Sequence, residues 1–187
     1  MDSLSRLTMS TEIAIQHFLS LGAYVADVDK LHASSVELDD SDSRYLVDLP
    51  NLTHLVLAET KITDNSLDSI KGLALLELLD LSETPIADAV ATDLYRLPRV
   101  RILGLYATRI TDLAMESISK LPRLESLNIS LNPQITDSGF SCLANSRQLK
   151  SVEIHGTEIS DAAVKEFSIQ YPNVLIVTDA GPVRGIA

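Results

Sequence analysis

A chain of 187 residues is long enough to bury one substantial core. Its 15 Lys and Arg against 26 Asp and Glu leave a formal charge of −11, which favours solubility and opposes binding to nucleic acid or anionic membrane, both of which call for basic patches. The single cysteine, Cys142, excludes an intrachain disulfide, and no run approaches the roughly 18 apolar residues of a membrane span, so the expected compartment is the cytosol.

The first predicted element is a helix over 11–21, capped by Thr11 or Ser10. Ile13, Phe18 and Leu21, with Ile15 and Leu19 nearby, give it apolar residues to lay over the first structural unit, and Gly22 ends it. Glu12, Gln16 and His17 interrupt the apolar run, which opposes a signal peptide. Glu12 and the lack of Lys or Arg in this stretch oppose a membrane-surface helix. Val28, Leu31, Ala33, Val36, Leu38, Asp40 and Leu46 then fit a degenerate first unit. The acidic run Glu37, Asp39, Asp40 and Asp42 lacks the Gly and closing Glu of a calcium loop and reads as a solvated turn before a helix.

From Leu52 the chain repeats itself every 24 residues. Leu52, Leu55, Leu57, Thr60, Ile62, Asp64, Leu67 and Ile70 return as Leu76, Leu79, Leu81, Thr84, Ile86, Asp88, Ala91 and Leu94, and again as Val100, Leu103, Leu105, Thr108, Ile110, Asp112, Met115 and Ile118. A fourth unit, from Leu124 to Leu143, carries one extra residue at Pro133 or Gln134, and a fifth runs from Leu149 to Phe167. A sixth starts at Val174 and Val177 and gives way to a tail. A period of this size predicts a solenoid, each unit burying its apolar face against its neighbours, with atypical terminal units.

Within a unit, LxxLxL is a short strand with Leu55 and Leu57 inward and His54 and Val56 outward. Successive strands pair in parallel and line a concave face. Thr60, Thr84, Thr108 and Thr157 stand where the chain leaves the strand, with a hydroxyl for the backbone of that turn or of the next unit. Ile62, Ile86, Ile110, Ile135 and Ile159 plug the core. The recurring Thr-Asp opens a helix, with either residue able to cap it. The helices are expected over 64–71, 88–96, 112–120, 137–145 and 161–170, with Cys142 on an inward side. Pro50, Pro98, Pro122 and Pro172 mark the return to the next strand.

The LxxLxL core followed by TxITD and xxL, as in LTHLVLAETKITDNSL, resembles the leucine-rich-repeat family. It is similar to the cysteine-containing subtype of F-box proteins, with Thr where that subtype often has Cys, and to short bacterial proteins of the TxITDxxL kind. The resemblance spans about 28–179 and implies a right-handed α/β horseshoe with short convex helices. It names no partner. The first 27 residues leave no room for an F-box. The expected organisation is a tail and capping helix over 1–27, the solenoid over 28–179 and a tail over 180–187.

Outward strand positions predict columns across the sheet: His54, Leu78, Ile102, Ser126, Ser151; then Val56, Asp80, Gly104, Asn128, Glu153; then Ala58, Ser82, Tyr106, Ser130, His155. Glu59, Glu83, Ala107 and Leu131 follow. Exposed Val56, Leu78, Ile102 and Tyr106, rimmed by Glu59, Asp80 and Glu83, mark a patch for a partly basic peptide or protein, with His54, Asn128 and His155 on the same face. No GxSxG, P-loop, HExxH or CxxC is present, so the expectation is a non-catalytic module without a cofactor. His32, His54 and Asp80 are reachable neighbours without metal-ligand spacing and read as solvated strand residues. The alternative to partner binding is a structural subunit assembling through its end strand. That strand, near Val174–Thr178, has only the tail AGPVRGIA to cover it, so either the tail folds back over Val177 or two copies meet there.

Overall fold

The structure, a computed structural model, describes residues 8–89, 94 and 96–185. Its first helix is Met9–Ser20, and its cap is Thr8, whose hydroxyl accepts the N–H of Thr11 at 3.2 Å. The cap thus lies upstream of Ser10 and Thr11. Thr11 instead donates its hydroxyl to the Asp48 carbonyl at 3.0 Å, tying the helix to the first unit. The buried stripe is Ala14 and Phe18, with Ile15 and Leu21 partly covered, while Ile13 and Leu19 are 55% and 42% exposed. Ala14, Phe18 and Leu21 follow an i, i+4, i+7 stripe, from which Ile13 and Leu19 each stand about 100° away. Gly22, at φ 95°, closes the helix, and the N–H groups of Gly22 and Ala23 return to the carbonyls of Leu19 and Phe18 at 3.0 Å.

Among the described residues nine strands form one sheet in sequence order. They are β1 (Tyr24–Asp27), β2 (Lys30–His32), β3 (His54–Val56), β4 (Leu78–Asp80), β5 (Ile102–Gly104), β6 (Ser126–Asn128), β7 (Ser151–Glu153), β8 (Leu175–Thr178) and β9 (Gly181–Val183). Strands β2 to β8 are parallel and pair one unit apart, so Leu31, Leu55, Leu79, Leu103, Leu127, Val152 and Ile176 form one inward column. All seven are at most 1% exposed. Leu57, Leu81, Leu105, Ile129 and Ile154 stack behind them, and Ile62, Ile86, Ile110 and Ile135 are fully buried. Ile159, in the last full unit, is partly buried against the same core. This is the expected solenoid, with its period imposed by side chains that have no partner except the next unit.

The polar positions divide their labour in a way that adjacent Thr and Asp letters leave ambiguous. Thr63, Thr111, Thr136 and Ser160 cap their own helices, each side-chain oxygen accepting an N–H of the first turn. The Asp that follows reaches across to the next unit. Asp88 accepts the N–H and hydroxyl of Thr111 at 2.7 and 2.8 Å, Asp112 those of Thr136 at 2.8 and 2.7 Å, and Asp137 those of Ser160 at 2.7 and 2.8 Å. Asp40 does the same for Thr63. Ala87, at the equivalent position before Asp88, has no hydroxyl, and among the described residues Asp64 accepts only the Ala87 N–H, at 3.0 Å.

The threonines after each strand bond their own turn: Thr60, Thr84, Thr108 and Thr157 donate to the carbonyls of Leu57, Leu81, Leu105 and Ile154. In the fourth unit Asn132 takes that place. Its amide donates to the Leu105, Ile129 and Ser130 carbonyls, and its oxygen accepts from Thr108. The helices behind the sheet are Asp64–Ser66 continuing as Leu67–Ile70, then Asp112–Ile118, Asp137–Ser141 continuing as Cys142–Asn145, and Asp161–Gln170. The helix expected over 88–96 falls largely outside the described residues. Cys142 is half-buried against the core, and burial pushes its thiol pKa up.

Both ends of the parallel sheet are closed by antiparallel hairpins. Tyr24 pairs with His32 and Val25 with Leu31, so β1 covers the first unit beside the capping helix. At the other end the tail turns at Gly181, φ 110°, and β9 lies on β8 with Pro182 opposite Val177. The fold-back is therefore present. The β1 hairpin lay inside a segment read as helix and tail, because YVAD carries no trace of the repeat.

Candidate binding surface

The pairing register fixes the outward columns. His54 stands beside Leu78, Leu78 beside Ile102 and Ile102 beside Ser126, while Val56 stands beside Asp80, Asp80 beside Gly104 and Gly104 beside Asn128. The backbone ladder continues past the strands, with Glu59 N–H on the Ser82 carbonyl at 2.9 Å and Glu83 N–H on that of Tyr106 at 2.7 Å. This brings Ala58, Ser82 and Tyr106 into the third column. Ile102 is 47% exposed, whereas Val56, Leu78 and Tyr106 are half-buried between neighbouring units. The apolar residues thus gather over the three units that start at Leu52, Leu76 and Val100. The later units present Ser126, Asn128, Ser130, Ser151 and Glu153 in the same columns.

Glu59 and Glu83 project from the rim. Both sit in left-handed backbone, φ 56° and 55°, as do Ser35, Ala107 and Leu131 at the equivalent turns. The chain accepts this strain at each repeat because it swings the backbone from strand to core-plugging Ile. Only the last turn uses the residue suited to it, Gly156 at φ 60°. Glu59 accepts the Ser35 hydroxyl at 2.8 Å, and Glu83 is exposed.

Several candidate residues are already engaged. Asp80 accepts the Ser82 N–H at 3.0 Å, and Asn128 accepts the Ser130 N–H at the same distance. Ser82 and Ser130 in turn accept the N–H groups of Tyr106 and His155 at 3.3 and 3.2 Å. Asn128 also donates to Glu153 at 3.1 Å. His54 Nδ1 lies 2.9 Å from the Thr53 hydroxyl, and His155 Nδ1 lies 3.8 Å from Asp179. A period-two pattern tells which way a strand residue points, but not that a short acid folds back onto its own backbone.

The Asp80 carboxylate lies over Gly104, where an added Cβ would come within 2.3 Å of Asp80 Oδ1. Gly104 is therefore a spacing requirement of this face. Gly104→Ala should force the carboxylate off the Ser82 N–H and cost about 1–2 kcal/mol in urea unfolding. Asp80→Ala removes the nearer obstacle and leaves Ser82 Oγ 3.1 Å from the added Cβ, so the double variant should lose clearly less than the sum of the two single losses. Fully additive losses would show that the carboxylate is not what Gly104 accommodates.

His32 stands beside Val56, in a different column from His54. Among the described residues no three of His, Cys, Asp and Glu converge as a metal-binding group. The four acids of the early run each have a partner in the fold. Glu37 pairs with Lys61, Asp39 and Asp42 form a capping box on Asp40–Ser43, Asp40 clamps Thr63, and Asp42 also meets His17 at 2.8 Å. Among the described residues no helix is long and apolar enough to cross a membrane.

Two stretches, 48–71 and 120–144, match the Leucine Rich repeat family. No curated protein matches the chain. Among solved structures the fold is similar to an internalin of Listeria monocytogenes strain 4b F2365, at 21% identity and a TM-score of 0.54, covering 84% of this chain and 59% of the internalin. It is also similar to internalin C2 of that strain, at 23% identity and a TM-score of 0.56, covering 95% and 89%. The chain thus spans less than two thirds of the first of these, and at such identities the likeness is one of fold.

Proposed function

Because the chain is a leucine-rich-repeat protein, we propose that it is a non-catalytic recognition module that binds a partly basic segment of another protein across the outward face of its sheet. The observation that supports this reading is the gathering of Val56, Leu78, Ile102 and Tyr106 on adjacent units, Ile102 exposed and the other three half-buried, beside the carboxylates of Glu59 and Glu83. Apolar side chains in neighbouring registers supply area for burial, and an aromatic near the centre supplies an anchor. The acidic rim favours Lys or Arg on the bound segment and speeds its approach.

Wild type and the Ile102→Ser/Tyr106→Ala variant, each immobilised in native lysate, test it. The two substitutions remove partly exposed side chains and should leave the unfolding midpoint nearly unchanged. A protein retained by the wild type should be lost from the variant, with affinity reduced about tenfold or more. Deuterium exchange on the purified pair should slow along 54–58, 78–83 and 102–107. Equal capture by both forms, or protection confined to the helical side, would overturn the assignment of this face.

A further inference from the structure

The two long edges of the sheet carry different charges. Where strands run into helices, Glu59, Glu83 and the Asp clamps are mixed with the exposed Lys61 and Arg109. Where helices return to strands, the third to fifth units place Arg99, Arg123 and Arg147, all exposed. Pro98-Arg99 and Pro122-Arg123 are equivalent, one repeat apart, and Arg147 takes the Pro122 position one unit further on. Beside them, the residues that precede each strand are paired among themselves. Arg101 meets Glu125 at 2.9 Å and Glu77 at 3.7 Å, and Lys150 meets Glu125 at 2.6 Å. Hydrogen bonds from Arg101 and then Lys150 draw the Glu125 carboxyl down to about 2. Those acids are spent. Among the described residues Arg99, Arg123 and Arg147 have no ion pair or side-chain hydrogen bond, in a chain where acids outnumber bases by 26 to 15.

We infer that this edge is a second interaction surface, taking an acidic extended segment of a partner protein. The backbones of these units are joined at the return, Glu125 N–H to the Arg101 carbonyl at 2.8 Å and Lys150 N–H to the Glu125 carbonyl at 2.7 Å. The three arginines therefore rise from a row with a pitch of about 5 Å. Carboxylates on alternate residues of an extended chain recur every ~6.7 Å, a spacing that long arginine side chains reach with forked, two-bonded contacts. A row of three guanidiniums is short for a nucleic-acid track, and the −11 charge of the chain repels a polyanion. A peptide with a few carboxylates meets the row without facing the rest of the surface.

A fluorescent twelve-residue peptide of alternating Glu and Ser, its Lys-Ser counterpart and a single-stranded oligonucleotide are titrated by anisotropy against the full chain at low salt. The Glu-Ser peptide should bind, weaken as salt rises, and lose about tenfold or more in affinity to the Arg99→Ser/Arg123→Ser/Arg147→Ser variant. A control with the same net charge, Arg109→Ser/Lys165→Ser/Arg184→Ser, should stay within about twofold of wild type. Circular dichroism melting of both variants establishes that they fold. The inference is overturned if the Glu-Ser peptide does not bind, if the two triple variants weaken it equally, or if the oligonucleotide binds more tightly. None of these outcomes bears on the sheet face, whose test stands apart.

Discussion

Replacing Asp40 with Ala should cost about 2–3 kcal/mol, several times the cost of the matched Asp64→Ala. Asp40 accepts four hydrogen bonds from the next unit: the Thr63 N–H at 2.7 Å, the Thr63 and Ser66 hydroxyls at 2.6 Å, and the Asn65 amide at 3.3 Å. Ser66 is fully buried, so removing the carboxylate strands its hydroxyl away from water. Asp64 holds one backbone N–H, because Ala87 stands where other units have Thr or Ser. The same comparison predicts a gain: Ala87→Thr should restore the second bond to Asp64 and add about 0.5–1 kcal/mol. Urea unfolding followed by circular dichroism measures all three.

The Asp40 contribution should also depend on pH in a definite direction. Burial pushes its pKa up, but the bonds from Ser66, Thr63 and Asn65 outweigh that and hold it below the ordinary value for Asp. A carboxyl depressed in the folded state contributes fully above its unfolded pKa, near 3.9, and loses that contribution as pH falls through the folded value. The gap between wild type and Asp40→Ala should therefore be constant above about pH 5 and narrow below about pH 4. A gap that does not change between pH 7 and pH 3 would mean that the carboxylate is not the clamp.

These clamps also mark how far the sequence could be read. The 24-residue period set the strand register correctly from β3 to β7, including the extra residue in the fourth unit, because a one-residue slip would turn the whole leucine column outward. At β8 it slipped by one, since the inward residue opposite Val152 is Ile176 and Val177 stands outward beside Glu153. It also placed Leu31, Ala33 and Leu38 in a first unit that lacks most of the motif. Periodicity reports burial. It does not report which of two neighbouring polar side chains looks back to its own helix and which looks forward, so the roles of Thr and Asp stayed open. Nor does it reach the ends, where Tyr24–Asp27 and Gly181–Val183 are antiparallel and follow hairpin geometry. On the outward face the periodicity located Ile102 and Tyr106, but the solenoid holds whichever side chains point outward there, so the choice of partner is not written in the repeat.

Cutting the chain after Asp179 should turn a monomer into a self-associating species. The full chain ends its sheet with β9, three residues of which the middle one, Pro182, has no N–H to offer another strand. The tail is held by more than the ladder. Thr178 donates its hydroxyl to the Gly181 carbonyl at 2.9 Å, Val183 packs partly against the core, and Gly185 passes so close to the Ser168 carbonyl that an added Cβ would be 2.0 Å from it. Removing Ala180–Ala187 strips this cover and leaves β8, Leu-Ile-Val-Thr, as the outermost strand with its backbone groups unpaired. Such an edge is short but apolar, and it matches itself in antiparallel register, so two cut chains can complete each other's sheet. The lost cover should lower stability by about 1–3 kcal/mol in dilute solution, and that loss should be partly recovered at higher protein concentration, as linkage to association requires. Sedimentation velocity on both chains over a range of concentrations gives the answer. A full-length chain that already dimerises, with a cut chain no more associated, would transfer the interface to the hairpin itself. If both remain monomeric and equally stable, β9 is not the cover that keeps this edge from pairing.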